Sequence, residues 1–228
     1  VSNWLANETQ QAFELSKPIH TIYNFVNLDR FSVPVAHREN LAKPDEKIVM
    51  HISNFRPVKR VTDVVRTFKK ILERVNARLI MVGDGPERIS ATGVARQLGI
   101  TDKIAYLGNN ETVESILPLA DLVFQPSEHE SFGLVPLEAM LSGVPVLGTA
   151  SGGVCEVVEH GVTGYLCEVG DTDAMARCAL DILLDAEKAR AMGARGRARA
   201  HELFAEEKIV DQYEQLYRDC LTRRHESV

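Results

Sequence analysis

Residues 121–143 read DLVFQPSEHESFGLVPLEAMLSG. Asp121-Leu122-Val123-Phe124 opens with a short apolar run suited to a buried strand, and Leu137, Met140 and Leu141 then recur at helical spacing. Between them lies the small, flexible turn Ser131-Phe132-Gly133. The stretch predicts a strand, a loop and a helix start. A helix start presents unpaired backbone N–H groups and the positive end of a dipole, a natural seat for phosphate. Glu130 and Glu138 flank that seat and would repel a phosphate, so they serve another group. A carboxylate accepts paired hydrogen bonds from a diol, as sugars offer. One phosphate seat with two diol acceptors points to a nucleotide-sugar.

The same alternation recurs on both sides. Lys47-Ile48-Val49-Met50-His51-Ile52 is a second strand-like run. Val61, Val64, Val65, Phe68, Leu72 and Val75 then mark one face of a helix over 60–75. Further strands are predicted at 78–82, 103–107, 144–147 and 165–167, with a short one at 19–23 before a polar connection to Pro44. Helical patterns lie between them, each introduced by Gly, Pro, Asn or Asp. Unalternating apolar runs separated by helices dictate a parallel sheet covered on both faces, an α/β Rossmann-like doubly wound fold. Such a sheet takes its ligand at the carboxyl ends of the strands. From Asp171 onward the chain reads as nearly all helix, ending over 209–221.

Composition bounds the function. The chain has 228 residues, 45% apolar and 25% charged, as an ordinary soluble globular protein does. A net charge of −6 argues against nucleic acid or an anionic membrane as partner. No apolar run approaches the roughly 20 residues that span a bilayer. Cys155, Cys167, Cys178 and Cys220 contain no CxxC pair, so they read as buried reduced thiols of a cytoplasmic protein. The opening Val1-Ser2 lacks an initiator Met and reads as the interior of a larger protein, with Ser2 capping a helix over 3–13.

Three segments fall at predicted strand ends. After the 47–52 strand comes Ser53-Asn54-Phe55-Arg56-Pro57-Val58-Lys59-Arg60, whose cations suit the charge developing on a departing nucleoside diphosphate. Position at the strand end favours a binding role for Arg56 and Lys59 over a solvated basic turn; Arg60 stays open. The Glu130–Glu138 segment is the second. The third, Thr149-Ala150-Ser151-Gly152-Gly153 with Glu156 beyond it, serves a close ligand approach or a tight turn equally well. Asp171-Thr172-Asp173 resembles a metal motif, but helix capping explains it. Gly83-Asp84-Gly85-Pro86-Glu87-Arg88 lacks the third small residue of a dinucleotide fingerprint, which weighs against a nicotinamide-dependent dehydrogenase. Arg190, Arg195, Arg197 and Arg199 read as a solvated helical face.

These motifs together resemble the donor-binding, C-terminal half of the retaining GT-B glycosyltransferases of family four, over nearly the whole chain. Glu130 and Glu138 match the family's E-x7-E pattern, joined by Gly83-Asp84-Gly85-Pro86-Glu87, Gly152-Gly153…Glu156 and Gly161-Val162-Thr163-Gly164-Tyr165-Leu166. His51 to Arg56 and Gly164 to Asp171 resemble the branch serving bacillithiol biosynthesis, which moves GlcNAc from UDP-GlcNAc to L-malate. A UDP-sugar epimerase of the same fold, or a transferase using another UDP- or GDP-sugar, is the alternative. The resemblance implies that Arg56 and Lys59 hold the diphosphate and that Glu130 orients the donor sugar. It gives Phe132, Gly133 and Leu134 phosphate-facing N–H groups, beside Ser131, and gives Glu138 the ribose. Ser53, Asn54 and Gly83 would join the cofactor-like nucleotide site, with Gly108 and Asn109 near the uracil. No metal is implied, because the protein supplies the cations. Residues 1–45 would end a preceding domain and form a linker, 46–205 the nucleotide-sugar domain, and 206–228 a helix returning to the missing N-terminal domain. That absent domain would hold the small-molecule acceptor, and the apolar face of the last helix could support a homo-oligomer.

Overall fold

The computed structural model describes residues 1–110 and 112–225. Among them, six strands form one sheet in the order β3-β2-β1-β4-β5-β6. The strands are β1 Lys47–Ile52, β2 Ala77–Val82, β3 Ile104–Gly108, β4 Leu122–Gln125, β5 Val146–Thr149 and β6 Gly164–Cys167. All five pairings are parallel. The helices are α1 Asn3–Ala12, α2 Val61–Ile71, α3 Arg88–Gln97, α4 Val113–Ile116, α5 Leu134–Leu141, α6 Val154–Val157, α7 Thr172–Leu183, α8 Ala186–Phe204 and α9 Glu206–His225.

The two-residue period of the strands sorts the core into two layers. Val49, Leu79 and Leu122 pack with Phe68 and Ile71 of α2 and Ala179 and Ile182 of α7. Ile48, Met50, Ile80 and Val123 face the other way, onto Leu137 and Met140 of α5 and Ala200 and Phe204 of α8. Both faces are covered, which is why the strands carry apolar residues at consecutive positions. The strands fall within two residues of the expected boundaries at either end.

Three expectations need correction. Residues 19–23 form no strand. Both sheet edges lie elsewhere, and Tyr23 instead packs edge-on against Phe204, ring centroids 5.5 Å apart, while Val26 makes an isolated bridge to Ala205. The arginine face of α8 is only partly solvated. Arg190, Arg195 and Arg197 are exposed, Arg195 also donating to the Val162 carbonyl, but Arg199 is half-buried and donates to those of Glu156 and Val157. Those bonds anchor α8 to the loops around α6. Of the thiols, Cys167 is buried and its Sγ lies 3.6 Å from that of Cys178, whereas Cys155 and Cys220 are exposed. Asp171 does cap α7, accepting the Ala174 N–H at 2.9 Å, and Ser2 caps α1 through the Leu5 N–H at 3.1 Å.

Candidate functional site

Chain order reverses between β1 and β4: one run proceeds outward through β2 and β3, the other through β5 and β6. The loops leaving these two central strands therefore diverge and open a crevice. A buried polar network ties their bases together. The Gln125 amide donates to the Ile52 carbonyl at 2.7 Å, and His51 Nδ1 lies 2.8 Å from the Phe124 carbonyl. A carbonyl can only accept, so Nδ1 carries the proton. Nε2 then accepts from the Ser53 hydroxyl at 2.8 Å, and Ser53 Oγ takes the Phe55 N–H at 3.2 Å. His51 is fully buried, and desolvation, with Lys59 nearby, pushes its pKa down to about 4.

This burial makes stability depend on pH. The folded state holds His51 neutral, while the unfolded chain protonates it near the ordinary histidine value of 6.5. Between these values the unfolded state binds the extra proton, so stability falls as pH drops from about 6.5 to 4, by roughly 3 kcal/mol. Urea unfolding of the parent and a His51→Asn variant across that window checks this. Acidic groups contribute to both slopes; the parent's should be steeper by up to one proton, and parallel curves would refute the neutral His51.

The crevice is about 350 Å³ and is lined from the β1 side by Ile52, Ser53, Asn54 and Lys59. Opposite stand Glu130, Ser131, Phe132, Gly133 and Leu134, with Asn24 of the leading segment closing one end. Lys59 Nζ sits 2.6 Å from Glu130 Oε1, which also accepts from the Ser127 hydroxyl at 2.8 Å. Both ion-pair side chains are about one-fifth exposed, 20% and 18%. The Glu128 N–H bonds the Val58 carbonyl at 2.7 Å, holding the two loops in register. Helix α5 begins here from Gly133, whose φ of +107° suits only glycine, and no side chain caps it. The N–H groups of its first turn receive no side-chain cap, and Pro136 removes one that would otherwise lack a partner.

Gly152 and Gly153 explain themselves by packing. A Cβ on Gly152 would lie 2.4 Å from the Glu130 carbonyl oxygen, and one on Gly153 2.3 Å from that of Ser131. Only glycine lets this turn lie against the Glu130 loop, and the Gly153 N–H seals the contact by donating to the Glu130 carbonyl at 2.7 Å.

The remaining candidates fall outside the crevice lining. Arg56 is exposed and does not line it. Phe55 in left-handed backbone, φ +40°, and a short 3-10 turn over Pro57–Lys59 bring residue 59 to the crevice and leave residue 56 at the surface. Arg60 binds Asp63 in the first turn of α2 at 2.6 Å, a structural duty. Gly83 donates to the Gly108 carbonyl at 2.7 Å along the rim, with Asn109 exposed beside it. Glu138 lies a turn into α5, half-buried. Burial pushes its carboxyl up from the ordinary value, Arg30 opposes that, and Glu114 adds to it. Sequence reasoning missed Asn24 and Ser127; only three-dimensional placement reveals them, since neither belongs to a charged or glycine-rich pattern. A larger groove of about 730 Å³ runs beside the crevice past Trp4, Tyr23 and Cys155.

Residues 33–199 match the family profile of glycosyl transferases group 1. The chain belongs to that family. It is 47% identical over 224 residues to N-acetyl-alpha-D-glucosaminyl L-malate synthase of Bacillus anthracis, covering 97% of the chain and 59% of that relative. Among solved structures it superposes on sucrose-phosphate synthase from Thermosynechococcus elongatus with a TM-score of 0.87 at 28% identity, covering 98% of the chain and 58% of that protein. Anabaena HepE, solved in complex with UDP-glucose, shares the fold at a TM-score of 0.85 and 24% identity, over 94% of the chain and 62% of its own. The chain thus spans about half to three fifths of the first curated relatives it matches. Among the described residues, no helix is long and apolar enough to cross a membrane, and no group of three or more His, Cys, Asp or Glu stands ready for a metal ion.

Proposed function

We propose that the chain is the donor-binding half of a retaining glycosyltransferase that moves GlcNAc from UDP-GlcNAc to L-malate. The observation that carries the reading is the Lys59–Glu130 pair set against the uncapped start of α5. A cation and an N–H cluster suit a diphosphate, and the adjacent carboxylate suits sugar hydroxyls. Identity of 47% with N-acetyl-alpha-D-glucosaminyl L-malate synthase of Bacillus anthracis supports the choice of sugar and acceptor.

Residue by residue, Lys59 and the Gly133–Leu134 amides would hold the diphosphate and steady its charge as it departs. Glu130, with Ser131 and Phe132 beside it, would grip the sugar and orient the anomeric carbon. Glu138 would accept the ribose diol, with Gly83, Gly108 and Asn109 at the base. Arg56 would reach the diphosphate only by swinging in from the surface. Front-face attack, with the leaving diphosphate helping to take the acceptor's proton, would keep the anomeric configuration. Lys59 and the helix dipole supply the positive charge, so the scheme calls for no metal. A soluble donor, a soluble acceptor and unpaired thiols suit the cytoplasm.

Mass spectrometry of products from UDP-GlcNAc tests this on the protein expressed at its full genomic length. A GlcNAc–malate conjugate forming only when malate is present is the expected result. Free GlcNAc or an epimerised nucleotide-sugar, indifferent to malate, would refute it.

A further inference from the structure

Helix α6 carries Glu156, whose carboxylate takes four hydrogen bonds from residues more than 130 positions away. Oε1 accepts the Trp4 N–H at 2.8 Å. Oε2 accepts the Asn3 N–H at 3.0 Å, the Asn3 side-chain amide at 2.9 Å and the Tyr23 hydroxyl at 3.0 Å. Burial works against its charge, yet the bonds from Trp4, Asn3 and Tyr23 leave the carboxyl below its ordinary range. An anion at the positive end of α1 is where the helix dipole favours it.

The same end of α1 touches the donor loop. The Ser2 hydroxyl donates to the Ser131 carbonyl at 2.5 Å, and the Trp4 ring tilts against His129 with centroids 5.9 Å apart. The Gly153 N–H in turn holds the Glu130 carbonyl. The contacts close a ring from Glu130 through Gly153 and Glu156 to α1, then back through Ser2 to Ser131. Phe132, Gly133 and Leu134 hang from that ring.

We propose that Glu156 is a positioning residue: by clamping α1 it fixes the Glu130–Leu134 loop in the geometry that receives the donor. The proposal rests on the donor-site reading above. If Glu156 served only to attach α1, loosening it would free that helix and nothing else. A positioning role instead transmits the loss to the far side of the ring, since ordering the loop is then a cost left to the ligand.

Amide hydrogen exchange and calorimetry with UDP, on the parent chain and on Glu156→Gln and Ser2→Ala, separate the two. Gln cannot accept at both ends of its head group, so the Trp4 or the Asn3 side of the clamp opens. In Glu156→Gln, exchange of the Leu137 N–H, bonded to the Gly133 carbonyl, and of the Gly153 N–H should speed about tenfold. Amides of β1 should stay as slow as before. UDP affinity should fall about fivefold through the same loss of order. Ser2→Ala, which leaves Glu156 untouched, should move the same two amides in the same direction. Faster exchange confined to α1, with UDP affinity unchanged, would overturn the proposal, as would an equal rise throughout the core. A parent chain indifferent to UDP would sink the donor-site reading, while the exchange data still decide the role of Glu156.

Discussion

Lys59→Ala should weaken UDP by about 10- to 150-fold, since a hydrogen bond to a charged group contributes roughly 1.5–3 kcal/mol. The loss has two sources. Alanine removes the one cation among the described residues that line the crevice, and it strips Glu130 of its partner at 2.6 Å. The half-buried carboxylate, left with Ser127 alone, then faces the incoming diphosphate as a like charge. UMP, with one phosphate fewer, should lose less. Calorimetry with both nucleotides decides: equal losses, or a loss for UDP below about twofold, would remove Lys59 from the diphosphate seat. Arg56→Ala belongs in the same series, and its exposed position predicts the smaller change of the two.

Phe55→Ala should cost about 3–5 kcal/mol of stability, the usual toll of emptying a buried aromatic site. Phe55 is completely buried, its ring 6.0 Å from that of His51 and 6.4 Å from that of Tyr106. The side chain also holds its own backbone in a left-handed conformation that a non-glycine residue adopts at a cost of order 1–3 kcal/mol. Its carbonyl receives the Glu87 N–H at 2.9 Å, so the turn is pinned to the next loop as well. Without the ring, residues 53–59 keep only their hydrogen bonds and the Lys59–Glu130 pair to present Lys59 to the crevice. Urea unfolding should show a lower midpoint at unchanged slope, and UDP affinity should fall with it. A stability loss under about 1 kcal/mol would mean that the ring does not hold the turn.

The sheet was legible because its signal is local. Runs such as Ile48–Met50 and Leu122–Phe124 are apolar at successive positions, and only a sheet covered on both faces demands that. The strand–loop–helix at 121–143 was legible for the same reason, and it places Glu130 and Gly133 at the crevice. Residues 19–23 misled because their apolar side chains serve burial rather than strand pairing: Ile22 is buried, and Tyr23 packs the leading segment onto Phe204 of α8. Spacing counts charges without giving their direction, so it could not tell that Lys59 lines the crevice while Arg56 is exposed. The positive φ at Phe55 and the tight turn at Pro57 set that direction, and neither is written as a charge pattern. Glu156 looked like a distant companion of two glycines. Its partners lie at the opposite end of the chain, beyond any periodicity argument.

The Lys59–Glu130 pair has a bearing on turnover under the proposed reading. An empty crevice that already matches its cation with an anion greets a donor by swapping partners, without first bearing a naked charge. After transfer the sugar is gone, and Glu130 is idle beside the cation that grips the spent nucleotide. Its rebound toward Lys59 competes with the diphosphate for one ammonium group, so the protein carries its own device for prising the product loose.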